Sequence, residues 1–372
     1  IPYTASGFAA CGKLFSSLFG VKYLTAMIIS AIVIVAYTTL GGFLAASTTD
    51  FIQSIIMSVA LIVVLIFGVE TAGGIGAVIH NASELPGYLS MTLSYDVNTG
   101  KAAPYSALTI VSTAAWGLGY FGMPHILLRF MAIEDEKKLK LSRRVATIWV
   151  VISLFVAVFI GVIGYTMSKV GALEMLTGSN SETIIVKISA LLSQHGVIFA
   201  LLAGVILAGI LASTMSTSDS QLLAASSAVS SDILGAFRKD SSNKNGSMAA
   251  ARITLLVISV VAAFIARNPD SSVFAIVSFA WAGFGAAFGP VVLFSLFWKR
   301  TSKWGALAGM VCGGSMVFIW KYLIRPLGGI WNIYELLPAF LIACAAIVIV
   351  SLLTPKPSKE IEEEFDRVAQ MK

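Results

Sequence analysis

The run from Gly196 to Leu222 decides the fold, and it reads GVIFALLAGVILAGILASTMSTSDSQL. As a helix it is long enough to cross the roughly 30 Å hydrocarbon core of a bilayer. Hydroxyls and one carboxylate nevertheless crowd its second half, between Ser213 and Ser220. A polar group without a partner in hydrocarbon is costly, so this cluster is typical of a helix that faces a cavity, a neighbouring helix or a bound ion.

The polar residues of this run share one side of the predicted helix. At about 100° per residue, Ser213, Ser216, Thr217 and Ser220 fall within one narrow arc, with Asp219 on its flank. Hard cations such as Na⁺ prefer oxygen ligands, and secondary transporters hold their coupling ions on helices near the protein core. The pattern therefore predicts a sodium site.

The composition places this run in a membrane protein. Of its 372 residues, 57% are hydrophobic and 12% are charged, and the mean hydropathy is +0.88, well outside the range of soluble proteins. We predict an all-α integral membrane protein with about ten apolar segments. They lie near residues 1–19, 22–43, 48–71, 105–131, 143–168, 196–222, 249–267, 272–297, 304–324 and 335–354.

Basic residues indicate the orientation of these segments, because Lys and Arg beside membrane helices stay on the cytoplasmic side. The loops after the second, fourth, sixth, eighth and tenth segments are richer in them, which predicts a plasma-membrane protein with a cytoplasmic C-terminus. The net charge of +6 then reflects topology and not nucleic-acid binding. The short first segment begins at Ile1 without a leader, so we expect the chain to start inside a helix of a longer protein.

The cysteines give no sign of a cofactor. Cys11, Cys312 and Cys344 stand singly in apolar segments, with no CxxC pair and no zinc-like spacing. We therefore expect no cofactor apart from Na⁺ as a coupling ion.

The fourth segment contains residues that weaken a helix. Its run from Trp116 to His125 reads WGLGYFGMPH, with three glycines and a proline, which predicts an interrupted membrane helix of the kind that exposes backbone dipoles at a substrate site. At a spacing of four, Trp116, Tyr120 and Pro124 would share one face that suits a small amphipathic solute. A proline kink with close packing through glycine is the alternative.

Asp50 is a second acid near a membrane segment. The predicted topology runs the third segment outward and the sixth inward, which places Asp50 and Asp219 at similar depths. A carboxylate costs roughly 2.5–3.5 kcal/mol at the centre of a membrane helix, and a cation would offset that cost. Alternatively, Asp50 stabilises a first helical turn through the helix dipole.

Several motifs in a fixed order resemble those of the sodium/solute symporters, and the similarity covers nearly the whole chain. The motifs are Gly41 to Ala45 with Thr49 and Asp50, Gly119 to His125 with Arg129 to Met131, Met215 to Thr217 with Gln221 to Leu223, and Trp281 to Pro290 continuing to Trp298.

The resemblance implies a thirteen-helix protein with a leucine-transporter-like inverted-repeat core, of which about ten segments are present. The implied divisions are the remainder of the first repeat (residues 1–71), an extracytoplasmic loop (72–104), the second repeat (105–298), two peripheral helices (304–354) and a cytoplasmic tail (355–372). The missing first core helix would supply further ligands.

The resemblance also implies roles for single residues. Sodium ligands are expected at Ser213, Ser216 and Thr217. A second cation or proton site is expected at Asp50, Asp219 and Ser220. Solute contacts are expected at Tyr3, Trp116, Tyr120 and Pro124.

The resemblance implies sodium-coupled symport of a small zwitterion, with L-proline as the expected solute. Another small solute, such as a sugar, carboxylate or vitamin, with sodium or proton coupling is the alternative within this class. An ion channel would also carry oxygens in the membrane, but the chain has no filter-like motif. A membrane enzyme built on His125 lacks any nucleophile or metal motif.

Overall fold

The structure, a computed structural model, describes residues 1–233, 244–269 and 272–370, without the side chains of residues 41–45, 231 and 244–248. It divides into two compact units, one of Ile1–Ala103 with Glu134–Val277 and one of Pro104–Ile133 with Ser278–Lys372. The α-helices are α1 (Pro2–Phe19), α2 (Tyr23–Thr71), α3 (Ile75–Ser83), α4 (Ala107–Ala114), α5 (Pro124–Met131), α6 (Leu139–Lys169), α7 (Ile184–Ser193), α8 (Val197–Ser227), α9 (Lys244–Ile265), α10 (Val273–Phe297), α11 (Lys303–Ile319), α12 (Leu336–Leu353) and α13 (Lys359–Gln370).

Seven described helical stretches are long and apolar enough to cross a membrane. They match seven of the ten predicted segments, and the count of ten is not confirmed. Of the other three, residues 1–19 form α1, residues 105–131 are broken into short helices, and Ala249–Ile265 falls short in length. The seven are Tyr23–Leu40, Ala46–Thr71, Glu136–Lys169, Val197–Ser230, Val273–Phe297, Lys303–Leu327 and Leu336–Leu353.

The second and third predicted segments form one helical stretch, α2, that bends sharply. Tyr37 contacts the Met215 carbonyl of α8, and Ala60 packs against Gly209 of the same helix. A straight helix would separate Tyr37 from Ala60 by about 35 Å, whereas Gly209 and Met215 lie about 9 Å apart. The two halves of α2 therefore both follow α8.

The all-α prediction is confirmed, and the segment predicted as a loop at residues 72–104 adds one small hairpin to it. This segment contains the short helix α3 and then a two-stranded hairpin of β1 (Leu93–Asp96) and β2 (Lys101–Pro104). Asp96 holds the turn, since its carboxylate accepts from the Asn98 amide and the Thr99 hydroxyl, both at 2.9 Å. The sequence pattern missed this hairpin because its strands are too short to show an alternation.

The helix α8 is central to the first unit. One apolar core joins it, through Leu222, to Phe8 of α1 and Ile34 of α2, and a second core joins it, through Ile206, to Ile163 of α6. The hydroxyl-rich run lies between these two contacts. Its polar side chains are thus held by apolar packing on either side.

In the second unit, α10 packs with α11 and α12 around Trp281, Val317 and Leu336. The predicted tail, residues 355–372, contains the acidic helix α13, which is held by an ion pair of 2.6 Å between Lys299 and Asp366. The predicted repeat boundaries remain a prediction. The two compact units are defined by contacts within each unit, which do not show whether one part of the chain repeats the fold of another.

Candidate functional site

The predicted hydroxyl face lies on α8 in the first unit. Ser213 donates to the Ile210 carbonyl at 2.9 Å, and Ser216 and Thr217 donate to the Ser213 carbonyl at 3.2 and 3.1 Å. Each hydroxyl thus gives its one proton to the helix backbone and keeps its oxygen lone pairs as acceptors. These half-buried oxygens are suited to a cation that has lost part of its water shell.

The carboxylate of Asp219 adjoins this face and is fully buried. The Tyr37 hydroxyl lies 3.0 Å from its Oδ2 and 3.2 Å from the Met215 carbonyl oxygen, and can donate to either. Ser220, the next residue in the chain, also interacts with the carboxylate. Among the described residues, the Oδ1 atom of Asp219 has no hydrogen-bond partner. A buried oxygen of this kind is a candidate cation ligand or protonation site, because an ionised carboxylate away from water needs a compensating charge.

The second predicted acid, Asp50, lies half-buried on α2. Its carboxylate is close enough to Asp219 for the two negative charges to repel each other. The same charge also interacts electrostatically with the Tyr37 hydroxyl. The two carboxylates expected to serve one site are therefore neighbours within the first unit. Their role as a second cation or proton site remains a prediction.

The helix α1 contacts the polar run directly. Gly7 leaves no room for a Cβ atom, because Ser218 and the Thr214 carbonyl pack against it. Tyr3 lies one turn earlier on α1, where its carbonyl accepts from the Ser6 hydroxyl at 2.6 Å. Of the four predicted solute residues, Tyr3 is thus in the first unit and the other three are in the second.

The predicted break in the fourth segment is confirmed. The helix α4 ends at Ala114, a 3₁₀-helix follows over Ala115–Gly122, and the extended residue Met123 precedes α5. Pro124 occupies the first turn of α5, where its missing N–H costs nothing. The proline thus starts a helix after the break and does not merely kink one.

Two aromatic residues of this 3₁₀-helix, Trp116 and Tyr120, contact Trp281 of α10. The Trp116 ring stacks on Trp281 at 5.3 Å between centroids, and Tyr120 meets it edge-on at 4.8 Å. The Trp281 indole N–H also donates to the Trp116 carbonyl at 2.9 Å. Tyr120 remains 45% exposed.

The prediction that Trp116, Tyr120 and Pro124 share a face through a spacing of four applies only where an α-helix continues, and the α-helix ends before Trp116. That spacing requires 3.6 residues per turn, whereas a 3₁₀-helix has about three, so residues four apart point in different directions. The two aromatic rings instead approach Trp281 in different orientations.

Glycines permit this close packing. A Cβ atom on Gly119 would overlap the indole of Trp281, and one on Gly122 would overlap the backbone of α10 at Phe284. Gly117 of the same 3₁₀-helix has open space around it. The helix is therefore broken as predicted, and it is also packed closely through Gly119 and Gly122.

Sequence reasoning missed Tyr37 and did not assign Trp281 to the solute site. Tyr37 is one aromatic residue in an apolar segment, and nothing nearby in the sequence marks its distant partner. Trp281 belongs to a quoted motif, but its ring contacts depend on tertiary packing. The side chains of the quoted motif from Gly41 to Ala45 are not among those that the structure describes.

Comparison with known proteins decides the family. The profile of the "Sodium:solute symporter family" matches residues 1–313. This chain is a member of the sodium:solute symporter family. The symporter is 38% identical to the osmoregulated proline transporter OpuE of Bacillus subtilis over 96% of this chain and 69% of that protein. It is 40% identical to a sodium/proline symporter of Haemophilus influenzae over 98% of this chain and 71% of that protein.

The fold of this symporter is also found in a solved structure. A Na⁺-coupled sialic acid symporter, in a substrate-bound outward-open state, superimposes with a TM-score of 0.72 over 96% of this chain and 74% of the other. The sequences are 17% identical, so this likeness concerns the fold alone. The family and these relatives identify the chain as a transporter and not an enzyme, and its long apolar helices fit a multi-pass membrane protein.

Proposed function

We propose that this symporter couples the entry of L-proline to the entry of Na⁺. The observation that carries the proposal is the α8 face, where Ser213, Ser216 and Thr217 present back-bonded hydroxyl oxygens beside a buried carboxylate. Relatives that are 36–40% identical over nearly the whole chain and are named sodium/proline symporters support the choice of solute.

Sodium binds, in this proposal, to the oxygens of Ser213, Ser216 and Thr217. Asp50, Asp219 and Ser220 form a second cation or proton site next to it. The neighbouring carboxylates of Asp50 and Asp219 support this, because a positive charge between them would relieve their mutual repulsion. Each positive charge that enters with the solute gains about 2.3 kcal/mol per 100 mV of membrane potential.

The solute binds to the aromatic residues of the broken helix. Trp116 and Tyr120 offer rings with polar N–H and O–H groups, and Pro124 sets the start of α5. Tyr3 of α1 remains a predicted solute contact. A pyrrolidine ring is apolar while its amino and carboxylate groups are charged, so a site with both aromatic faces and freed backbone dipoles matches its chemistry.

Alternating access is the mechanism that suits this fold. The chain would supply about ten of the thirteen helices of a protein with an inverted-repeat core in the plasma membrane, with its C-terminus in the cytoplasm. Sodium would favour the state that binds proline better, and each ligand would then strengthen the binding of the other.

Uptake of labelled proline into proteoliposomes with the full-length protein tests the proposal. An inward sodium gradient should drive accumulation, whereas an equal potassium gradient should not. Sugars, carboxylates and vitamins should fail to compete with labelled proline. Saturable proline uptake that does not depend on sodium would contradict the coupling, and stronger competition by another solute would replace proline.

A further inference from the structure

Tyr334 lies outside the predicted solute residues, in the connection between α11 and α12, yet it contacts the broken helix at two places. Its ring stacks on Trp116 with 6.0 Å between centroids and 16° between planes. Its backbone N–H donates to the Ser112 hydroxyl at 2.6 Å. Its own hydroxyl donates to the Ser278 carbonyl of α10, also at 2.6 Å. With 7% of its surface exposed, Tyr334 is a buried brace between these elements of the second unit.

The residue after Tyr334 anchors this brace. The Glu335 carboxylate is buried and pairs with Arg325 at 2.8 Å and Lys321 at 3.8 Å. The Arg325 guanidinium also donates to the Asn332 side chain at 3.1 Å. A buried carboxylate that loses its partners is costly, so these contacts restrict the backbone at Glu335 and, with it, the position of Tyr334.

The contacts of Tyr334 help to set the orientation of the Trp116 ring. The Trp116 indole is nearly parallel to both Trp281, at 15°, and Tyr334, at 16°. Stacked rings resist tilting, because tilting one of them loses contact with the others. Trp116 therefore keeps its orientation only while both neighbouring rings are in place, and Trp116 belongs to the 3₁₀-helix of the proposed solute site.

We propose that Tyr334 is a positioning residue for solute recognition, which holds Trp116 in its binding orientation from the peripheral connection between α11 and α12. This inference rests on the proposed function, since it assumes that the broken helix binds the solute. It adds a residue from outside the predicted core to the determinants of affinity for the solute.

The test measures initial rates of sodium-driven proline uptake in proteoliposomes for wild type, Tyr334→Ala, Tyr334→Phe and Trp331→Ala. Trp331 is the matched control, because it is an aromatic residue of the same connection that packs against Trp320. For Tyr334→Ala we expect the KM for proline to rise about three- to tenfold, the effect of losing one ring pair. The maximal rate per folded protein and the sodium concentration for half-maximal uptake at saturating proline should change less than about twofold, on the same scale.

The two other variants show whether a rise in the KM comes from loss of the stacked ring. Tyr334→Phe keeps the stacked ring and should leave the KM within about twofold of wild type, as should Trp331→Ala. An unchanged KM in Tyr334→Ala, or an equal rise in Trp331→Ala, would overturn the inference.

If Tyr334→Ala does not fold, Glu335→Gln decides. Weaker anchoring should raise the KM for proline, and an unchanged KM would overturn the inference. A wild-type protein without sodium-dependent proline uptake would overturn the proposed function as well, whereas normal wild-type uptake with an unchanged KM in the variants would overturn only the role of Tyr334.

Discussion

Thr217 illustrates how one hydroxyl can serve as a cation ligand. Its proton goes to the Ser213 carbonyl, so its oxygen acts only as an acceptor towards the face of α8. In Thr217→Ala, the sodium concentration for half-maximal proline uptake should rise roughly tenfold, the equivalent of about 1.4 kcal/mol. Thr214→Ala is the matched control, because its hydroxyl is bonded to the backbone in the same way, at 2.8 Å, but lies about 110° around the helix from the centre of the arc. Equal effects of both changes would contradict the assignment.

Asp219 should behave as a charge that sodium neutralises. In Asp219→Asn, the repulsion with Asp50 is removed, so we expect a melting temperature in sodium-free buffer at or above that of wild type. The rise in melting temperature on adding sodium should shrink, because ligand stabilisation follows the binding constant. Thermal unfolding in sodium and in choline measures both quantities. A sodium-induced rise as large as that of wild type would exclude Asp219 from the cation site.

Among the elements, the 3₁₀-helix over Ala115–Gly122 depends on close packing against α10. Gly119→Ala places a methyl group on the Trp281 indole and should lower stability by about 1–3 kcal/mol, the usual range for overpacking. Proline uptake should fall with it. Gly117→Ala adds the same methyl group where there is open space and should retain uptake. The comparison is made by thermal unfolding and uptake, and equal loss in both variants would contradict the packing.

The start of α10 is held by an acid on another element of the first unit. Glu182 accepts from Lys13 and Ser272, both at 2.8 Å, and from the Val273 amide at 3.3 Å. Partial burial alone would raise the pKa of Glu182, but these hydrogen bonds and the Lys13 charge hold it below its usual value. A carboxylate with a lowered pKa contributes stability that is present above its unfolded pKa and is lost as the pH falls through its folded pKa.

Glu182→Gln should therefore lower the melting temperature at neutral pH, by the equivalent of about 1–2 kcal/mol. The difference from wild type should disappear on acidification, because the wild-type carboxylate is then protonated as well. Glu174→Gln is the control, since its ion pair with Lys187 is exposed and should contribute little. A difference between Glu182→Gln and wild type that does not depend on pH would contradict this account.

For the molecule as a whole, the sequence predicts best what depends on local composition. Apolar length predicts seven of the helices that could cross a membrane, and Gly119, Gly122 and Pro124 predict the broken helix because glycine and proline act on their own backbone. The topology argument also brings Asp50 near Asp219, since charge placement and helix direction are both readable from the chain.

What the sequence could not predict arises from contacts between distant segments. The 3₁₀ geometry of Ala115–Gly122 places Trp116 and Tyr120 differently from an α-helix, and no pattern distinguishes the two. The phenol of Tyr37 contacts Asp219, and the ring of Tyr334 contacts Trp116. The two residues of each pair lie far apart in the sequence, and nothing near either tyrosine indicates its partner.

The central claim is that Na⁺ and proline move together through a sodium site on α8. Entry of radioactive sodium into proteoliposomes, driven only by proline added outside, tests it most directly. Proline should accelerate sodium entry in wild type and in Thr214→Ala, and much less in Thr217→Ala at low sodium. Proline entry without accompanying sodium would show that sodium activates transport without being cotransported, and would contradict the account.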